Sequence, residues 1–230
     1  MKKVRLVSLL IFFILIPATL ILGSRLTGRV YYLISTLVIL EIMIPFFLSL
    51  EMKKPDALSL CILAVMAALA AISRAAFIFV PGFKPITGII MITGIAYGAE
   101  TGFLTGALGL FASNFLFGQG PWTPWQMFAY GFAGFMAGLV FHKRRHWCRP
   151  PVLAIFGFLG ILCVVGPLLD TCTVFSVLTT FTPKSILVIY AQGVPINILH
   201  ALGCAVTLLL IGRPLIEKLD RLQHKYGLRF

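Results

Sequence analysis

The chain has 230 residues, of which 60% are hydrophobic and only 11% are charged, and its formal net charge is +12. A soluble domain carries about 25% charged residues, so this composition excludes an ordinary soluble protein and predicts an all-α integral membrane protein. The positive charge does not indicate nucleic-acid binding. The Lys and Arg residues lie at the ends of apolar segments, where such residues orient a chain in the membrane.

Eight apolar segments are predicted to cross the membrane as helices, each of which needs about 20 residues. In chain order they are 6–22, 30–50, 57–80, 85–97, 101–117, 125–141, 152–169 and 186–211. The first follows Lys2, Lys3 and Arg5 but lacks a small-residue cleavage site, so we predict an uncleaved helix rather than a signal peptide. The fourth is short and contains glycine, and it is counted as a crossing.

After the eighth segment, the chain becomes basic and amphipathic. Apolar residues recur there at helical spacing among charged ones, a pattern suited to a helix lying along the membrane surface. We therefore predict three parts: two N-terminal transmembrane helices in 1–55, a six-helix core in 56–212, and a cytoplasmic tail in 213–230. Glu41, an acid within the second segment, is expected to pair with a neighbouring helix or to join a complex.

The distribution of positive charge predicts the orientation. If the N-terminus is inside, most of the 19 Lys and Arg residues fall on the inner side. The outer side then receives only Arg25, Arg29, Arg74, Lys84 and Lys184. By the positive-inside rule, both termini of this multi-pass cell-membrane protein are cytoplasmic.

Three connections would then face outward, at 81–84, 118–124 and 170–184. The second belongs to GQGPWTPWQ (118–126), whose glycines and prolines interrupt helical structure. Tryptophan side chains offer aromatic area, and amides and charges can orient a ligand. The predicted substrate-binding residues are Arg74, Lys84, Asn114, Gln119, Trp122, Trp125, Gln126 and Asp170. Two alternatives stay open: the tryptophans could belong to an interfacial belt, and Asp170 could be an ion partner of Arg74 or Lys84.

Catalytic and metal-binding patterns are missing. The sequence contains no HExxH, GxSxG or phosphate-loop motif, and its five cysteines form no CxxC pair. His142 and His146 have a metal-compatible spacing, but the positive residues between them disfavour a cation. His200 is expected to be a hydrogen-bonded packing histidine. We predict no catalytic residue, no metal site and no cofactor.

The third segment carries two overlapping pairs of alanines four residues apart, Ala64 with Ala68 and Ala67 with Ala71. Small residues let membrane helices approach closely. Either pair could pack inside the bundle or form a flat docking face for another protein, and the sequence does not choose between the two registers.

Together with this alanine-rich helix, the stretches FKPITGIIMITGIAYGAETGFLTGALG and GQGPWTPWQMFAYGFAGFMAGL give residues 57–211 a resemblance to the S components of energy-coupling factor (ECF) vitamin transporters. The resemblance implies a six-helix substrate-binding core, here preceded by two extra helices. It also implies a vitamin-type ligand and assembly, within the lipid bilayer, with a transmembrane T component that one alanine pair contacts and with two ATPase subunits.

Among S components, the tryptophan-rich loop most resembles the cobalamin-type members. The competing hypothesis is a non-transport membrane scaffold or assembly protein, which would explain the small-residue helices without a ligand.

Overall fold

The computed structural model describes residues 7, 10–24, 30–53 and 55–228, and these form eight helices and no strand. Helix α1 begins with a π turn, Ile11–Leu15, and continues as Ile16–Ser24. The other helices are α2 Val30–Lys53, α3 Ala57–Ala76, α4 Ile86–Tyr97, α5 Ala99–Phe117, α6 Thr123–Phe141, α7 Pro150–Val177 and α8 Pro183–Tyr226. The last two contain π turns, at Ile161–Val165 and Leu208–Gly212. The predicted all-α membrane fold is confirmed.

Hydropathy alone marks only part of this bundle as membrane-spanning. Four described helices, α2, α3, α7 and α8, are long and apolar enough to cross a membrane, and α4 is apolar but shorter. Helices α5 and α6 have 19 residues each, and both contain glycines and polar residues. They have this composition because they pack against neighbouring helices in the centre of the bundle.

The centre is formed by α4, α5 and α6, which meet through glycine. The backbones of Gly94, Gly102 and Gly134 lie against one another, and a Cβ atom at Gly106 would stand 2.6 Å from the Cα atom of Gly131. Any larger side chain at these contacts would push the helices apart. The glycines therefore serve close helix packing.

The N-terminal helices are attached to this core. Helix α2 packs on α5, α6 and α7, and the ring of Phe46 stacks on that of Phe103 with 3.7 Å between centroids. The Ser49 hydroxyl donates to Glu100 of α5 at 2.6 Å. Helix α1 packs on α2, where the Thr19 hydroxyl donates to Glu41 at 2.6 Å.

The C-terminal segment, Arg213–Tyr226, forms the end of α8. It continues that helix without a break and packs against α4. Ile216 and Leu219 are buried, and Leu215 and Leu222 pack against the same core. Its amphipathic pattern therefore reflects a helix with one face on the protein.

Polar residues gather at two ends of the bundle. The first, called here the Arg74 end, comprises the connections 77–85, 118–122 and 178–182 with the adjoining helix turns. The second, called the Arg145 end, comprises the connection 142–149 and the last turns of α8. At that end, Arg145 contacts Asp220 and the Tyr97 hydroxyl donates to the Leu219 carbonyl.

Candidate functional site

Arg74 lies in the last turn of α3, and its guanidinium is held by α5. Nη1 donates to the Ser113 hydroxyl at 2.7 Å and to the Asn114 side-chain oxygen at 2.8 Å. The ring of Phe117 lies under the guanidinium, 4.2 Å from ring centroid to Cζ, within the range of a cation–π contact. The positive charge is thus fixed in position.

The network extends from Asn114 into the connection before α6. The Asn114 amide donates to Gln126 at 2.8 Å and to the Thr123 hydroxyl at 3.2 Å. The same hydroxyl donates to Gln119 at 2.9 Å, and it accepts from the Gly120 backbone N–H at 3.1 Å. Four predicted site residues therefore belong to one network: Asn114 bonds Arg74 and Gln126 directly, and Thr123 links Asn114 to Gln119.

No described acidic side chain lies within ion-pair distance of Arg74 or Lys84. The partners of Arg74 are neutral oxygens, and its Nε atom is enclosed with no partner among the described residues. A buried cation is usually paired with an acid. Here the positive charge is left available to a negative or electron-rich ligand atom.

Lys84 brings a second cation to this end. Its connection lies against α8, where the lack of a side chain at Gly203 leaves room for the backbone of Lys84. Gly82, with φ of 76°, turns the chain against Leu199. Burial, and secondarily the charge of Arg74, lowers the pKa of Lys84 to about 8. Arg74 and Lys84 thus bring two positive charges to the same end of the bundle.

His200 lies on α8, three residues before the Gly203 that contacts the Lys84 backbone. The buried imidazole shares a hydrogen bond of 2.8 Å with the Thr87 hydroxyl, and its ring centroid is 5.4 Å from that of Tyr130. These contacts agree with the predicted hydrogen-bonded packing histidine.

The two tryptophans of the loop have different surroundings. Trp125 is buried and packs with Phe103, Cys172 and α2, and its ring centroid is 6.1 Å from that of Phe175. Trp122 is 45% exposed and lies over Gly120. The structure therefore does not bring them together as one aromatic wall.

Asp170 is separate from the Arg74 network. Its carboxylate accepts a hydrogen bond of 2.8 Å from Asn197 of α8 and lies against Gly193. It pairs with neither Arg74 nor Lys84, so the alternative that made it their ion partner is wrong.

The structure separates the two alanine registers of α3. Ala67 and Ala71 are buried, and a Cβ atom at Gly109 of α5 would stand 3.2 Å from the Ala67 carbonyl. Ala64 and Ala68 are exposed. Of the two pairs, Ala64 with Ala68 is therefore the one on the surface and able to contact another protein.

Sequence reasoning missed Ser113, Phe117 and Thr123. The first two lie beside Asn114 in the last turns of α5, and Thr123 begins α6. The sequence feature that could have indicated them is Ser113, a hydroxyl next to the Asn114 amide at the end of a glycine-rich helix.

Comparison with known proteins gives a family. The family model described as "ECF-type riboflavin transporter, S component" matches residues 56–221, which include the core and leave the N-terminal helices outside. No curated protein and no solved structure matches the chain. The match supports the S-component resemblance but not the cobalamin-type subgroup. The chain therefore belongs to the family of ECF-type riboflavin transporter S components and is a substrate-binding membrane subunit of a vitamin transporter, not an enzyme.

Proposed function

We propose that the chain captures riboflavin at the Arg74 end and delivers it to an energising module made of a T component and two ATPase subunits. The family match over residues 56–221 carries this proposal. It is supported by the two cations at this end, Arg74 and Lys84, which have no acidic partner among the described residues.

The chemistry of riboflavin suits such a site. Its flat ring presents carbonyl oxygens and ring nitrogens as acceptors, and its sugar-alcohol chain presents hydroxyls. Arg74 and Lys84 supply donors only, whereas Asn114 and Gln126 supply both donors and acceptors. A few fixed polar groups beside aromatic surface are typical of a ligand site.

Cobalamin is the second candidate, because the loop 118–126 resembles that of cobalamin-type members. The different surroundings of Trp122 and Trp125 weaken this candidate, since one broad aromatic wall was its physical basis.

Titration of the purified protein distinguishes the candidates. We expect riboflavin fluorescence to be quenched with a stoichiometry of one ligand per chain, and excess cobalamin not to reverse the quenching. Binding of cobalamin without binding of riboflavin would reject the substrate proposal. If neither ligand binds, and mass spectrometry of the denatured protein finds no released small molecule, the scaffold hypothesis is favoured.

We propose further that Ala64 and Ala68 form the face that contacts the T component. Helix α3 packs mainly on α4 and α5, whereas α2 packs on α5, α6 and α7, so the N-terminal helices occupy another side of the core. The double variant A64W/A68W should prevent assembly and uptake while riboflavin binding by the isolated chain persists. L139W, at an exposed position of α6, is the matched control. Normal assembly of the double variant would exclude this face.

The orientation is also a proposal: the Arg74 end faces outward, and both termini are cytoplasmic. Pro121 and Lys143 are exposed at opposite ends of α6. In intact cells, a membrane-impermeant maleimide should label Pro121→Cys and should label Lys143→Cys only after permeabilisation. The reverse pattern would show that the bundle is inverted.

A further inference from the structure

The Arg145 end contains a cavity that the transport function does not use. It has a volume of about 320 Å³ and lies between the connection 142–149 and the last turns of α8. Its charged lining residues are Arg145, Arg149, Arg213, Glu217 and Asp220. A second cavity of about 470 Å³ adjoins it, because His146 and Arg149 line both.

The charges of the first cavity do not cancel. Arg213 pairs with Glu217 at 2.9 Å and Arg145 pairs with Asp220 at 2.9 Å, so each acid already has a cation. The Arg149 side chain forms no hydrogen bond or ion pair with a described residue. It is therefore an uncompensated positive charge between the two cavities.

Arg145 adds an unused donor. Its Nη2 atom binds Asp220 and the Ala96 carbonyl, whereas its Nη1 atom is enclosed without an ordinary hydrogen-bond partner in the described chain. The thiol of Cys148 lies beside this guanidinium, but sulfur is only a weak acceptor. Arg145 is therefore fixed by the protein around it, and, among the described residues, Arg149 carries the free positive charge of the lining.

The second cavity has an apolar wall. Trp147 is 46% exposed and Val152 is 40% exposed, and both line it. The guanidinium of Arg144 lies 5.3 Å from the Trp147 ring centroid. Tryptophan beside basic residues is typical of the membrane–water interface. A cationic cavity therefore continues directly into an apolar surface.

We propose that the two cavities together bind an anionic phospholipid. Its phosphate contacts Arg149, the cation without an acidic partner among the described residues, and its acyl chains follow Trp147 and Val152. Basic pockets between transmembrane helices bind anionic headgroups in this way. A free phosphate would use only the first cavity, so the adjoining apolar wall favours a lipid. The proposal does not depend on the transported substrate.

Native mass spectrometry of the full chain in detergent tests the lipid proposal. The chain is offered an equimolar mixture of phosphatidylglycerol and phosphatidylcholine that carry the same acyl chains, and the ratio of the two bound lipids is measured. We expect a preference for phosphatidylglycerol, which Arg149→Gln lowers about fivefold, the effect of one basic residue near an anionic lipid. Lys143→Gln is the matched control, because it removes an exposed charge of the same connection that lines neither cavity. It should leave the preference unchanged.

Two further arms complete the test. Glu217→Gln removes an exposed acid from the lining, so it should strengthen the preference even if Arg149→Gln does not fold; no change or a decrease would overturn the proposal. Excess inorganic phosphate should not displace phosphatidylglycerol, and displacement would indicate a site for a soluble anion. The proposal also fails if the wild type shows no preference, or if Arg149→Gln and Lys143→Gln weaken the preference equally.

Discussion

Each end of the bundle contains a partly buried arginine, and the two arginines have different kinds of partner. Arg145 binds the carboxylate of Asp220 and the Ala96 carbonyl in the last turn of α4. Among the described residues, Arg74 donates to the neutral oxygens of Ser113 and Asn114, and Lys84 brings a second cation to the same end.

We propose that this difference separates a structural cation, Arg145, from a ligand-binding one, Arg74. An acid and a helix C-terminus both stabilise positive charge, so Arg145 ties the connection 142–149 to α4 and α8. Neutral acceptors hold Arg74 in position without cancelling its charge. A ligand with electron-rich oxygens therefore gains more at the Arg74 end.

The largest expected effect comes from Arg74→Ala. This variant removes the central cation of the proposed site, and a hydrogen bond to a charged group contributes about 1.5–3 kcal/mol. Riboflavin affinity should fall about tenfold to about a hundredfold, as measured by fluorescence titration. Unchanged affinity would mean that the Arg74 network is structural like that of Arg145.

Arg145→Ala is the matched change at the other end. It leaves Asp220 without Arg145 and removes a donor from the Ala96 carbonyl. The free energy of unfolding, measured by thermal unfolding, should therefore fall by about 1–2 kcal/mol. Riboflavin affinity should stay at the wild-type value. A large loss of affinity with unchanged stability would reverse the roles assigned to the two ends.

An intermediate effect is expected for Asn114→Asp, which would give Arg74 the acidic partner that it lacks. The new carboxylate should compete with the ligand for the guanidinium, lowering riboflavin affinity about tenfold, or roughly 1.4 kcal/mol. Gln223→Glu, which changes a side-chain amide at the Arg145 end, is the control and should bind normally. An increase in affinity for N114D would contradict the view that a free cation serves binding.

A smaller effect is expected from pH. Because the pKa of Lys84 is about 8 in the folded protein, Lys84 is mostly charged at pH 7 and loses its proton as pH rises through 8. If the ligand contacts the charged form, affinity should fall several-fold between pH 7 and 9. Lys84→Met should remove this dependence, and an identical pH profile in wild type and K84M would exclude the contact.

The lowered pKa of Lys84 also predicts how the free energy of unfolding changes with pH. Lys84 titrates near 8 when folded and near 10.5 when unfolded, so the unfolded chain binds more protons between these values. The contribution of Lys84 to the free energy of unfolding should therefore rise with pH from about 8 to about 10.5. Comparing K84M with wild type by thermal unfolding across this range checks the sign.

The sequence predicted several helix bounds closely because glycine, proline and apolar length mark them. The fourth and fifth segments were predicted at 85–97 and 101–117, and the helices are Ile86–Tyr97 and Ala99–Phe117. The seventh was predicted to end at Leu169 but continues to Val177. Its polar residues Asp170 and Thr171 find partners on α8, in Asn197 and Tyr190, and hydropathy cannot reveal such partners.

The positions of the candidate site residues were also predictable in part. Convergence of Arg74, Asn114, Gln119 and Gln126 followed from placing their connections on one side of the membrane. The separation of Trp122 from Trp125 did not, because their directions depend on packing against α2 and α7. Likewise, the neutral partners of Arg74 follow from how α3 meets α5.

Ligand-protected labelling tests the central claim, that riboflavin binds at the Arg74 end, most directly. Trp122→Cys and His146→Cys place single thiols at exposed positions of the two ends, in a background whose five native cysteines are replaced. Saturating riboflavin should slow maleimide labelling at residue 122 and leave labelling at residue 146 unchanged. Protection at residue 146 alone, or at neither position while riboflavin is shown to be bound, would contradict the account.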